Sequence, residues 1–206
     1  MFQRLLAKQL AGPSGGLVGF LLAALWNRRN EALTLATLDA LAIHPHDRII
    51  DVGFGGGDLL RRMLPVVIQG SLTGVDISNA MVSLARRRFA SDVEEGTLGL
   101  LQARAESLPF PEQVFDKVCS VNAIFYWDDP RQGLCELQRV IAPGGRLVLC
   151  LTCMEDLQTR PFAQHGLQLF GEPQLLQLLD DAGFSHPEIK RYSDRYRKFM
   201  CIICCG

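Results

Sequence analysis

The segment from Ile49 to Leu60, IIDVGFGGGDLL, places a carboxylate and a run of glycines where a β-strand hands over to a helix. Ile49, Ile50 and Val52 are β-favouring apolar residues of the kind found in a strand covered on both faces. Gly53, Gly55, Gly56 and Gly57 remove Cβ atoms where a ligand would approach the backbone. Asp58 then opens a helix whose buried face can use Leu59, Leu60, Met63 and Leu64. A carboxylate at Asp51, just ahead of the glycines, suits a ligand that carries a cation and would repel a pyrophosphate. A second acid, Asp76, ends the strand LTGVD, where it can accept paired hydrogen bonds from ribose 2′ and 3′ hydroxyls. The dinucleotide pattern G-x-G-x-x-G fits in neither register. Its third glycine position holds Asp58 when counted from Gly53 and Leu60 when counted from Gly55, which disfavours an NAD-dependent oxidoreductase.

Alternating strand and helix patterns position these residues. A helix is expected over Asn30 to Ile43, a strand over Asp47 to Val52, a helix over Asp58 to Val67 and a strand over Ser71 to Asp76. A helix over Asn79 to Phe89, a short strand at Leu98 to Gln102 and a strand at Val114 to Val121 follow. Pro130 to Ile141 reads as a helix, Pro143-Gly144-Gly145 as a turn and Arg146 to Thr152 as the fifth strand. This β-α-β order implies an α/β fold with a doubly wound, mostly parallel sheet covered by helices on both faces. Beyond it, a helix over Pro173 to Ala182 leads to Glu188–Tyr192 and Arg197–Cys205, read as an antiparallel C-terminal hairpin that brings the sheet to seven strands. Ligands in this architecture bind outside the carboxyl ends of the strands, so Asp51, Asp76, Ala103 to Glu106 and Asn122 are expected to converge on one crevice.

Composition narrows the class. The 206 residues fit a single domain spanning 1–206. The 21 Lys plus Arg nearly balance 22 Asp plus Glu, so no global field attracts nucleic acid, and Arg86, Arg87 and Arg88 read as the solvated end of a helix. Seven cysteines without a secretory context suggest reduced thiols and a cytoplasmic protein. In an extended strand, residues three apart face opposite sides, so Cys201 and Cys204, like Cys150 and Cys153, do not make a metal site. The apolar run Gly15 to Trp26 is too short to span a bilayer, and no stable membrane insertion is expected.

The spacing D-x-G-x-G-x-G formed by Asp51, Gly53, Gly55 and Gly57 resembles motif I of the class I S-adenosylmethionine (SAM) dependent methyltransferases. The PGGRLVL sequence from Pro143 to Leu149 resembles that family's motif III, and the terminal hairpin is one of its traits. The resemblance implies a Rossmann-like methyltransferase fold and SAM as cofactor, with Asp51 helping to hold its ammonium and Asp76, with Ile77 beside it, at the ribose. ARAESLPF, from Ala103 to Phe110, resembles the segment that lines the adenine. Arg104 departs from that pattern by standing where an Asp often accepts from the adenine amino group. Backbone groups of Ala105 together with Glu106 could hold the ring instead, or Arg104 could stack on it. SVNAIFYWDD, from Ser120 to Asp129, resembles the loop between cofactor and acceptor. It implies Asn122 beside the methionine part, and Phe125, Tyr126 and Trp127 either walling the transfer site or packing under the next helix. Trp26, Asn27 and Asn30 resemble a segment that closes over SAM in small bacterial-type members, so residues 1–42 are expected to form a helical lid.

The implied reaction is in-line displacement of the sulfonium methyl by a small, partly apolar acceptor. If the acceptor must lose a proton, Tyr126, Asp128 and His165 are the candidate bases by their place in post-strand loops. The rival reading is a non-catalytic SAM-binding or partner-stabilising module. Asp76→Ala is expected to weaken SAM with little unfolding, and Gly55→Val to obstruct it.

Overall fold

The computed structural model describes residues 28–160 and 167–206. Trp26, Asn27, His165 and all but the end of the proposed lid lie outside those residues. Seven strands form one sheet in the order β3-β2-β1-β4-β5-β7-β6. They are β1 (Arg48–Val52), β2 (Ser71–Asp76), β3 (Leu98–Gln102), β4 (Phe115–Val121), β5 (Ile141–Thr152), β6 (Ser185–Ser193) and β7 (Lys198–Cys205). The pairs among β1 to β5 are parallel, while β7 runs antiparallel between β5 and β6. This is the mostly parallel, doubly wound sheet with an antiparallel hairpin expected from the alternation. Its order reverses between β1 and β4, the point at which such sheets open a ligand crevice.

Strand side chains alternate faces, and the core divides accordingly. Ile49 and Ile50, adjacent and fully buried, belong to opposite layers. One layer packs α1 (Glu31–Leu41), α2 (Asp58–Met63) and α3 (Asn79–Arg88) on the sheet through Leu33, Leu41, Leu60, Met63 and Val82. The other packs α5 (Pro130–Val140) and α7 (Glu172–Asp181) through Leu134, Leu137, Leu175 and Leu179. Two further short helices are α4 (Ala90–Glu94) and α6 (Met154–Leu157). Full burial of each such Leu or Ile contributes about 1.5–3 kcal/mol. Cys201 and Cys204 fall in different layers, as strand geometry requires, and among the described residues no His, Cys, Asp and Glu cluster could hold a metal ion. No described helix is long and apolar enough to cross a membrane.

Several boundaries differ from the sequence reading for local reasons. α2 stops at Met63 rather than Val67, because Pro65 has no N–H to continue the helical bonding and the chain closes with Val66 N and Val67 N on the Met63 carbonyl. The Pro143-Gly144-Gly145 turn lies inside β5 as an irregularity: Phe115 pairs with Ile141, and pairing resumes at Lys117 with Arg146. α1 crosses the sheet over β4, β5 and β7 and is held at its end by Arg146, whose Nη1 donates to the Ala40 carbonyl at 2.8 Å. Residues 31–41 are therefore part of the packed layer, and Asn30 stands at the edge of the crevice that this layer borders.

Candidate functional site

At the carboxyl end of β1 the glycine turn is built from backbone conformations open to few other residues. Gly53 and Gly55 have φ of +83° and +52°. Gly53 N donates to the Val75 carbonyl (2.7 Å), and Gly55 N donates to Asp76 Oδ2 (2.9 Å). The other carboxylate oxygen of Asp76 accepts from Ser78 N (2.8 Å), and Ser78 caps α3 by accepting from Met81 N. Asp76 thus ties the turn after β1 to the start of α3, and each of its oxygens keeps a second lone pair for a ligand hydroxyl. A Cβ at Gly53 would lie 2.3 Å from the Ala123 Cβ of the loop after β4, whereas one at Gly55 would meet no atom nearer than 4.0 Å. Gly53 lets two loops touch; Gly55 opens onto free space.

That space is a cavity of about 220 Å³ at the β1/β4 switch point. Of the residues singled out in the sequence, Asn30, Asp51, Gly53, Gly55, Asp76, Ile77, Ala105, Glu106, Asn122 and Tyr126 line it, as do Phe125 and Trp127. Gly57 does not. It stands at the N-cap of α2 with φ +70°, and a Cβ there would press on the Phe89 ring at 3.0 Å, so its place in the motif is structural. Asp128 is also outside the cavity. Its carboxylate is 80% exposed and pairs with Arg104 at the rim, away from the cavity lining. Arg104 in turn pairs with Glu106 and Asp128 at the rim rather than lining the cavity, so it is not placed to stack on a bound ring.

Glu106 organises the loop above the site, with Oε1 accepting from Asp128 N (2.7 Å) and Asp129 N (3.2 Å). Asp129 then caps α5 by accepting from Gln132 N. On the far side Gln168 fixes the aromatic segment, its backbone N donating to the Phe125 carbonyl and its Nε2 to the Trp127 carbonyl. Phe125 and Trp127 are both cavity wall and core, so the two readings of these aromatics coexist. Trp127 lies directly on Gly133 of α5, where a Cβ would be 2.6 Å from the indole. Gly133→Ala is expected to push the indole toward the cavity and to cost about 1–2 kcal/mol net of the better helix propensity of alanine. Thermal unfolding together with tryptophan emission checks this; an unshifted emission spectrum in a destabilised protein would contradict it.

Charge in the cavity is strongly sided. Asp51, only 2% exposed, has Oδ1 buried without a hydrogen-bond partner among the described residues. Burial, and then the negative charge of Asp76, push its pKa up to about 8. Burial also raises Asp76 and carries the Tyr126 phenol up to about 12, so Tyr126 is poorly suited to remove a proton near neutral pH. Asn122 adopts a left-handed backbone (φ +55°), tolerated by asparagine better than by most residues. Its Oδ1 accepts from Thr152 N (2.8 Å), and its Nδ2 reaches Asn30 Oδ1 (3.4 Å). Sequence reasoning missed two lining residues at that end, Thr152 and Arg197. The arrangement can hold a cation at Asp51, vicinal hydroxyls at Asp76 and an apolar group against the aromatic wall. A buried acceptor atom without a donor and a glycine cradle open to the cavity are what SAM requires.

Comparison with known proteins gives concordant matches. Residues 50–149 match the family described as Methyltransferase domain. The chain is 34% identical over 157 residues to the uncharacterized methyltransferase YdaC of Bacillus subtilis, covering 76% of this chain and 82% of that protein. It is 34% identical over 114 residues to the ubiquinone/menaquinone biosynthesis C-methyltransferase UbiE of Vibrio parahaemolyticus, but spans only 44% of that relative's length. A Pyrenophora dematioidea O-methyltransferase is 31% identical over 161 residues, 75% of this chain and 60% of that protein. Among solved structures, a SAM-dependent methyltransferase from Aquifex aeolicus superposes with TM-score 0.69 at 19% identity, over 84% of this chain and 88% of that one. The 4+2 cyclase SpnF superposes with TM-score 0.72 at 19% identity, over 88% of this chain and 82% of that one. The fold by itself therefore does not fix the reaction.

Proposed function

Because the chain belongs to the SAM-dependent methyltransferases, we propose that it methylates a small, partly apolar acceptor seated against Phe125, Tyr126 and Trp127. When bound, SAM supplies an electrophilic methyl group on a sulfonium. The contribution of this chain is placement and exclusion of water. Asp76, already held by two backbone N–H groups, receives the ribose hydroxyls, and Ala105 and Glu106 flank the adenine side. Asp51 faces the ammonium, Asn30 and Asn122 border the methionine part, and Gly53 and Gly55 permit close approach.

The observation that carries the acceptor class is the aromatic wall that Phe125, Tyr126 and Trp127 give the cavity onto which the glycine turn opens. The C-methyltransferase of ubiquinone/menaquinone biosynthesis and the fungal O-methyltransferase among its relatives suggest a hydroxylated ring, methylated at carbon or oxygen. The test is release of S-adenosylhomocysteine with hydroxylated aromatic rings, aliphatic amines, a protein mixture and transfer RNA offered separately. Turnover with the rings is expected; turnover only with protein or RNA would refute the small-acceptor reading.

The state of Asp51 gives a further expected result. Its ordinary value is 3.8 and its folded value about 8, so between these the folded protein retains a proton that the unfolded chain has lost. This group's contribution to ligand-free stability therefore falls as pH rises through that window. An ammonium beside the carboxylate favours its ionised form, so SAM binding at pH 7 is expected to release a proton, approaching one per site. Calorimetry in buffers of different ionisation enthalpy measures it, and proton uptake would contradict the assignment.

A further inference from the structure

We propose that Arg197 is an oxyanion seat in the crevice, built to hold a carboxylate or a deprotonated oxygen of a bound molecule. Arg197 follows the turn between β6 and β7, and that turn is closed by Asp194, whose Oδ1 accepts from Tyr196 N and Arg197 N. Its side chain extends into the cavity, at the end opposite the carboxylates of Asp51 and Asp76 in the sheet order.

The partners of the guanidinium are all neutral. Nη1 donates to Asn30 Oδ1 (3.2 Å) and Thr152 Oγ1 (3.3 Å), and Nη2 donates to the Arg29 carbonyl (3.1 Å). Among the described residues no carboxylate comes within ion-pair distance of it, the charges of Asp194 and Asp156 acting only from farther off and opposed by those of Arg160 and Arg29, and Nε is buried without a hydrogen-bond partner there. The guanidinium as a whole is half-buried, and its one buried, unused donor favours a ligand oxygen that supplies the complement. Burial, the largest influence on the group, lowers its pKa as expected for a charge short of solvent. The planar fork suits two oxygens of one anion, and the long, shared bonds to Asn30 and Thr152 leave it positioned but not saturated.

Two molecules in the crevice could bring such an oxygen: the cofactor through its methionine carboxylate, or an acidic acceptor. The second source rests on the function proposed above and supplies what the described residues of the site otherwise lack. With Tyr126 poorly acidic and Asp128 outside, an acceptor that arrives as an anion, its oxygen held by Arg197, needs no base.

The experiment compares wild type, Arg197→Lys and Arg197→Met by calorimetry, with thermal unfolding of each. The probes are S-adenosylhomocysteine, then 5′-methylthioadenosine, which lacks the carboxylate and ammonium, and finally benzoate against benzamide on the S-adenosylhomocysteine-loaded protein. A loss of roughly tenfold or more for S-adenosylhomocysteine in Arg197→Met, with methylthioadenosine unchanged and a smaller loss in Arg197→Lys, assigns the seat to the cofactor carboxylate. Unchanged S-adenosylhomocysteine affinity, with benzoate bound by wild type in preference to benzamide and lost in Arg197→Met, assigns it to the acceptor. Equal affinities for every probe in wild type and a folded Arg197→Met variant overturn the proposal. None of these readouts requires turnover, so failure of the small-acceptor reading shows separately in the acceptor screen.

Discussion

Gly55→Val is expected to abolish SAM binding, weakening it by about two orders of magnitude or more, while leaving a folded protein. Residue 55 sits at φ +52°, where a branched side chain is strained by about 1–2 kcal/mol, and its Cβ would project into open cavity with no atom nearer than 4.0 Å. The strain is affordable for a domain of this size, because a loss of about 1–2 kcal/mol lowers Tm by only roughly 2–8 °C. The lost volume is not, because it lies where the ligand must pass. Gly55→Ala separates the two effects: it carries similar backbone strain with a single methyl and should lose less affinity. At Gly53 the balance reverses, since a Cβ there meets Ala123 at 2.3 Å and the two loops must part. SAM calorimetry with thermal unfolding on the two Gly55 variants provides the check, and a Gly55→Val protein that binds SAM within threefold of wild type would refute this placement of the cofactor.

The second large effect belongs to Asp76, and the structure changes what it should be. Read from the chain alone, Asp76→Ala weakens ribose binding with little unfolding. In the fold, both carboxylate oxygens already accept backbone N–H groups, from Gly55 and Ser78. Removing them strands two donors in a buried place, at about 1–3 kcal/mol each where water cannot replace the acceptor. A loss of even about 2 kcal/mol corresponds to a Tm drop of roughly 4–8 °C. SAM affinity should fall at least hundredfold, because the hydroxyl acceptors vanish and the Gly55 turn loses its anchor. Asp76→Asn keeps one acceptor but turns the other position into a donor, so it should rescue stability partly and affinity hardly at all. Affinity preserved in Asp76→Asn would show that the ribose is held elsewhere.

How far the sequence alone reached follows from the range of each contact. The glycine turn and Asp76 were legible because strand, turn and helix start are written in neighbouring residues, and sheet topology then brings the segments together. The aromatic segment was legible as a location, but its double duty was not: that depends on Gly133 receiving the Trp127 ring. Arg104 was unreadable because one of its two partners, Asp128, lies on another loop; only the fold shows that Asp128, together with the neighbouring Glu106, holds it at the rim. Arg197 was hidden for a similar reason. Between Thr152 and Arg197 the sequence holds α6, α7 and β6, so no local pattern connects two residues that share a hydrogen bond.

The strand order also governs how the protein is made. β7 is the last strand in the chain, yet it occupies an inner position and supplies the partner for both β5 and β6. During synthesis, residues 141–152 therefore emerge long before their second neighbour, with Leu147, Leu149 and Leu151 on a strand edge that nothing yet covers. β6 follows with no place in the sheet until residues 198–205 thread between them, a late, non-local closure of the slow kind. From the completion of β5 at Thr152 until β7 emerges at Lys198 the nascent chain thus carries an open apolar edge, and its yield in a cell should depend on chaperone supply during that stretch of translation as well as on the stability of the finished sheet.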